Sequence, residues 1–227
     1  MVLYFIKEGD TMGTSTRRTN EKVRNIINNN KVSSNGEGID KIISEALFPK
    51  NNKSKIKNDV INSTCSTSFT KTIKKIIDFS MLISNGSISI AGIGNFNSLS
   101  EHEKIEVIVN EICYDEDPII RQSILDILNT HDINNYLGNS YLVIKDFLNE
   151  FYTEKFEIQM FEELATNLED FDDEQCKIKI KKLVETEINK VFTYPQYQQL
   201  VISINDETAL QKAVRNISSL IIRGLKV

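Results

Sequence analysis

Residues 100–128 read SEHEKIEVIVNEICYDEDPIIRQSILDIL, and two helix starts are written in them. Ser100 and Glu103 have capping-box spacing, at which each side chain satisfies an orphan amide at the opening of a helix. Behind them Ile105, Ile108, Val109 and Ile112 recur at helical intervals and make one apolar face. Asp117–Pro118 then gives the start signal by other means. A carboxylate caps the next helix, and proline takes the first helical position, where no amide donor is needed. Its stripe is Ile120, Ile124, Ile127 and Leu128. Two capped amphipathic helices joined by a short acidic turn predict an all-α fold.

The same period runs to the C-terminal end of the sequence. Ile144, Phe147, Leu148 and Phe151 form one stripe, and Met160, Phe161, Leu164 and Leu168 another. Ile180, Leu183, Val184, Ile188 and Val191 form a third, which stops before Tyr194–Pro195. Asp206 can cap a last helix whose inner face is Leu210, Ala213, Val214, Ile217 and Ile221. Strand signals are few: Leu200–Ile204 could extend briefly, and Ser87–Ile90 alternates weakly. Towards the N-terminus, Phe69, Ile73, Ile76, Ile77 and Ser80 share a stripe, with Lys71, Lys74 and Lys75 off it. Between these helices, Asn85–Asn97 carries Gly86, Gly92 and Gly94 and reads as a loop with room for a helical turn.

Ahead of residue 66 the pattern fails. Gly13–Thr19 is small, polar and basic, and Asn28–Gly36 and Pro49–Ser68 are rich in Asn, Ser and Lys. Such stretches bury too little apolar surface to offset their ordering entropy. Short helical patterns at Glu21–Asn28 and Ile39–Leu47 interrupt them, the second ending before Pro49. The expected organisation is therefore a leader over 1–12, a flexible basic arm with short helices over 13–65, and an irregular multi-helix domain over 66–227. Charge divides in the same way. The overall −5 of the 227 residues is +6 over residues 1–90 and −11 over residues 91–227.

Composition excludes several classes. No apolar run approaches the ~20 residues of a membrane helix, and Met1–Ile6 is too short for a signal-peptide core and has no basic residue before it. Cys65, Cys113 and Cys176 make no disulfide framework, so a reducing cytoplasm is the expected compartment. Catalytic groups are thin. His102 sits between Glu101 and Glu103 on a polar helix start, and His131 follows a helix end, where it can bond the last carbonyls. The cysteines have no CxxC spacing, and neither histidine has metal-type spacing, so no metal or other cofactor is expected. Cys113 and Cys176 read as small core residues. Gly92–Ile93–Gly94 fails as a phosphate loop because Asn97 stands where the third glycine belongs. The acidic run Glu162–Glu174 lacks calcium-loop spacing. Lys50–Lys57 with Lys71–Lys75 could meet nucleic acid, but no aromatic interleaves them to stack on bases, and that partner is disfavoured. No enzyme is expected.

The informative stretch is Met12–Gly13–Thr14–Ser15. Lys7–Glu8–Gly9–Asp10 back-translates to purine-rich codons that can hold a ribosome-binding sequence, so Met12 is the expected start. A real extension, with Val2–Ile6 packing as a short strand, is the other possibility. Removal of Met12 leaves Gly13 as a free, unhindered α-amine, whose pKa near ~8 keeps some of it neutral and nucleophilic. Myristoylation, the familiar use of such a glycine, lacks its pattern, because Arg17 stands where Ser or Thr belongs.

Gly13–Thr14–Ser15 on a polar arm ahead of a helical domain resembles the B component of the Qat anti-phage defence systems (QatB-like). The Ser68–Ser80 helix, the small-residue loop at Ala91–Gly94, the Val107–Cys113 helix with the acidic turn and Ile119–Ile127 after it, and the closing helix Ala209–Leu225 are also similar. The resemblance covers Gly13–Thr19 and, loosely, residues 66–227. It implies a QueC-like deazaguanine synthase partner, QatC-like, that processes the arm and joins a deazaguanine to the exposed glycine. Gly13 would be the acceptor, with Met12, Thr14 and Ser15 as processing and recognition residues. It further implies an ATPase and a TatD-like nuclease in the same system. The arm departs from the family in being short and Asn/Lys-rich rather than Pro/Gly-rich. The alternative reading is a helical nucleic-acid-binding or scaffold module that uses the basic N-terminal region. Exposed apolar side chains around Phe96, Tyr136 or Tyr194–Tyr197 are candidates for an interface, core packing being the competing reading of each.

Overall fold

In the computed structural model the described residues are 55–84, 96–113, 117–164 and 173–225. Among them lie nine α-helices and no strand. They are α1 (Lys55–Thr64), α2 (Thr67–Ser84), α3 (Glu101–Ile112), α4 (Pro118–Thr130), α5 (Ile133–Tyr136), α6 (Ser140–Leu164), α7 (Asp173–Val191), α8 (Tyr194–Ser203) and α9 (Glu207–Gly224). A single tighter helical turn, Phe96–Ser98, precedes α3.

The sequence signals for helix starts are built as read. At α3 the Ser100 amide donates to Glu103 Oε2 at 2.8 Å, and the Glu103 amide donates back to Ser100 Oγ at 3.4 Å. At α4 the Ile119 amide donates to Asp117 Oδ1 at 3.0 Å, with Pro118 in the first turn. At α9 the Ala209 amide donates to Asp206 Oδ1 at 3.0 Å. Each carboxylate also sits at the positive end of its helix dipole.

α6 is the central mast. Val143, Ile144, Phe147, Leu148, Phe151, Tyr152 and Phe156 are all buried, so it is covered on more than one side. α1, α2, α4 and α7 all pack against it. Phe69 of α2 lies on it, with ring centroids 5.2 Å from Phe147 and 4.6 Å from Phe151, within the range of favourable aromatic pairs. α9 closes the body against α1, α2, α7 and α8. Its buried face holds Leu210, Ala213, Val214, Ile217, Ser218, Ile221 and Ile222.

Two expectations are corrected. Lys55–Thr64, expected within an irregular arm, is helix α1, and Val60 and Thr64 are both 0% exposed. The stretch looked polar because Thr64 enters the core with its hydroxyl already donating to the Ile61 carbonyl at 2.8 Å. The helical body therefore reaches back at least to residue 55. Leu200–Ile204 does not extend: residues 200–203 complete α8 and Ile204 caps it. That helix is opened by Thr193, Pro195 and Gln196, whose capping box outweighs three β-branched residues. The stripes at Ile144–Phe151 and Met160–Leu164 belong to one 25-residue helix. Leu168, Ser87–Ile90, Gly92, Gly94, Glu21–Asn28 and Ile39–Leu47 lie outside the described residues.

Candidate interaction surface

The sequence-predicted acceptor Gly13 and its neighbours Met12, Thr14 and Ser15 lie outside the described residues. Within the body, His102 is exposed on the first turn of α3, as its polar neighbours require. Cys176 is buried and Cys113 half-buried. Burial pushes the Cys113 thiol up to about 11, opposed by Arg121, so it stays protonated and a poor nucleophile. Among the described residues no His, Cys, Asp and Glu side chains gather in a metal-holding group. No described helix is long and apolar enough to cross a membrane.

His131 does more than meet a helix end. Its ring stacks on Tyr136 at 4.1 Å, and its Nε2 lies 3.5 Å from Asp146 Oδ2. Tyr136 donates its hydroxyl to the same oxygen at 2.9 Å. Burial, then the Asp146 charge, holds the Tyr136 proton firmly on its oxygen. Burial also raises Asp146, against the lowering effect of Tyr136 and His131. The three side chains pin the α4–α5 turn to the mast. Tyr136 and Phe96, both interface candidates from sequence, are buried core residues.

The lysines of α2 are differently placed. Lys71 is exposed. Lys74 donates to the Ile204 carbonyl at 3.1 Å and lies 3.8 Å from Asp78, while Lys75 meets Glu111 at 2.9 Å. A phosphate backbone approaching this helix would have to displace both partners.

The strongest surface feature is carried by α8 and α9. The turn before α8 is held by aromatics. Tyr141 stacks on Phe192 at 5.6 Å, Tyr194 and Tyr197 meet the Tyr141 ring edge-on, and Ser140 Oγ and the Tyr197 hydroxyl share a 2.6 Å hydrogen bond. Tyr194 remains 57% exposed, and Ile202, eight residues on along the same side of the helix, is 82% exposed. Separately, α8 and α9 border an open groove of about 400 Å³. Gln196 and Gln199 line one wall, Asn216, Leu220 and Arg223 the other, and buried Ile217 also contributes. The polar side chains can bond to main-chain or carboxyl groups, and exposed Leu220 offers apolar area to bury.

Sequence reasoning named Tyr194–Tyr197 and missed the groove. The available signals were the amide run Gln196, Gln198 and Gln199, and Ile202 on the helix side that carries Gln198. Comparisons with protein-family models, curated proteins and solved structures find no match for the chain.

Proposed function

We propose that the chain is a non-catalytic subunit of an anti-phage defence system, in which Gly13 is the acceptor for a deazaguanine and the helical body docks the enzyme that attaches it. The observation that carries this reading is the Met12–Gly13–Thr14–Ser15 sequence ahead of a basic arm. In the proposed step a QueC-like partner uses ATP to convert a deazaguanine carboxylate into its acyl-adenylate, releasing pyrophosphate. The neutral Gly13 amine attacks the acyl carbon, an amide forms, AMP leaves and the amine gives up a proton. The body's role is supported by the exposed Tyr194 and Ile202 on α8 and by the groove between α8 and α9. Tethering the arm to a docked body raises the effective concentration of its terminus at the partner's active site.

Mass spectrometry of the N-terminal peptide after co-expression with the neighbouring genes tests the proposal. A peptide beginning at Gly13 and heavier by one deazaguanine acyl group is expected, and only when the synthase-like gene is intact. An unmodified Gly13 in the presence of that partner overturns it and leaves the scaffold reading, which uses the same surface without modification. A peptide that begins at Met1 overturns the assignment of Met12 as the start.

A further inference from the structure

We infer that the groove between α8 and α9 binds an extended acidic peptide segment of a partner protein. Gln196 and Gln199 face Asn216 and Ser219 across it, three amides and a hydroxyl that each both donate and accept. A chain in extended conformation presents unpaired N–H and C=O groups along its edges, which such side chains can match. A helix has its own groups bonded and would leave the amides unsatisfied once covered. The wall from Asn216 to Arg223 is about 10 Å long at helical rise, room for about three residues of extended chain.

Arg223 sets the charge. Among the described residues no carboxylate pairs with it, and Lys212 and Arg215, exposed on the same helix, are equally without ion-pair partners. This cationic face belongs to a region, residues 91–227, whose net charge is −11. An acidic segment is therefore drawn to α9 and repelled by much of the remaining surface, which is selection by both attraction and repulsion. Arg223 offers a planar fork for a carboxylate, and Leu220, 46% exposed, gives the segment apolar area to cover. A nucleic acid would find only one cation and no aromatic among the groove-lining residues.

Fluorescence anisotropy with the full chain provides the test. The probe is a labelled peptide of about ten alternating Glu and Thr residues, a composition that leaves the chain extended and acidic. Saturable binding is expected, on the order of tenfold weaker for the matching Gln/Thr peptide and absent for Lys/Thr. Arg223→Glu should weaken the Glu/Thr peptide by at least about tenfold, and Gln199→Ala should weaken it several-fold, with unchanged far-ultraviolet circular dichroism. Equal binding of the three peptides, or binding indifferent to Arg223→Glu, overturns the inference. So does either of two other outcomes: Arg223→Glu dissociating an oligomer in sedimentation velocity, which makes the occupant a second copy, or a single-stranded oligonucleotide binding where the peptide does not. Gly13 does not enter these readouts, so conjugation and groove binding can fail separately.

Discussion

Gly224 sits where the last turn of α9 meets Glu187 of α7. A Cβ there would lie 1.6 Å from Glu187 Oε1, and Glu187 is only 9% exposed, held by Lys190 at 3.3 Å. Gly224→Ala should therefore expel a buried carboxylate and destabilise the body by about 1–3 kcal/mol in urea denaturation. Glu187→Ala combined with Gly224→Ala should recover part of that loss, because the clash is shared and the two effects cannot add. Thr153 predicts the opposite sign. Its hydroxyl is buried with no partner among the described residues, so Thr153→Val should stabilise by about 1 kcal/mol in the same measurement. Asp146 adds a pH dependence. Its pKa is raised by burial, so the folded chain holds a proton that the unfolded chain has lost above the ordinary carboxylate value near ~3.9. Stability from this residue falls as pH rises through that window. Asp146→Asn should remove this fall from a pH series of denaturation curves, and an unchanged series would refute the assignment.

At the scale of helices, aromatic packing decides more than capping does. Phe69→Ala would open a cavity against Phe147 and Phe151 and should cost roughly 3–5 kcal/mol. Glu103 behaves differently: its Ser100 hydrogen bonds hold its carboxyl below the usual range. That contribution is present above the ordinary carboxylate value and is lost as pH falls through the lowered one. The helices legible in the sequence were those whose local signals and burial agree, as at Ser100, Asp117 and Asp206 with the stripes behind them. α1 was not legible because its buried side includes a threonine that satisfies its own hydroxyl, a polar letter in an apolar place. α8 gave mixed signals, with β-branched Val201, Ile202 and Ile204 set against a capping box at its start. The groove was illegible for another reason: it exists only where two helices distant in pattern, one amide-rich and one basic, come side by side. His131 was placed correctly at a helix end, but its partner Asp146 comes from a different helix, which no local reading supplies.

Across the whole molecule, the first described helix depends on the last. α1 packs on α9, and Gln211 of α9 donates to the Cys65 carbonyl at 3.0 Å across 146 residues of sequence. A fragment beginning at residue 66 should therefore melt at least about 5 °C lower than one beginning at residue 55, and equal melting temperatures would deny α1 its place in the body. The same contact orders events in time. Translation delivers α1 to solvent ahead of the other described helices, at about 5–20 residues per second; α2 and α6 can receive it early, but its contact with α9 forms only once α9 has left the ribosome. The seat of α1 is thus completed only when α9 arrives. A partner that recognises the seam between α1 and α9 would therefore distinguish chains on which α9 has been made and packed from shorter nascent chains.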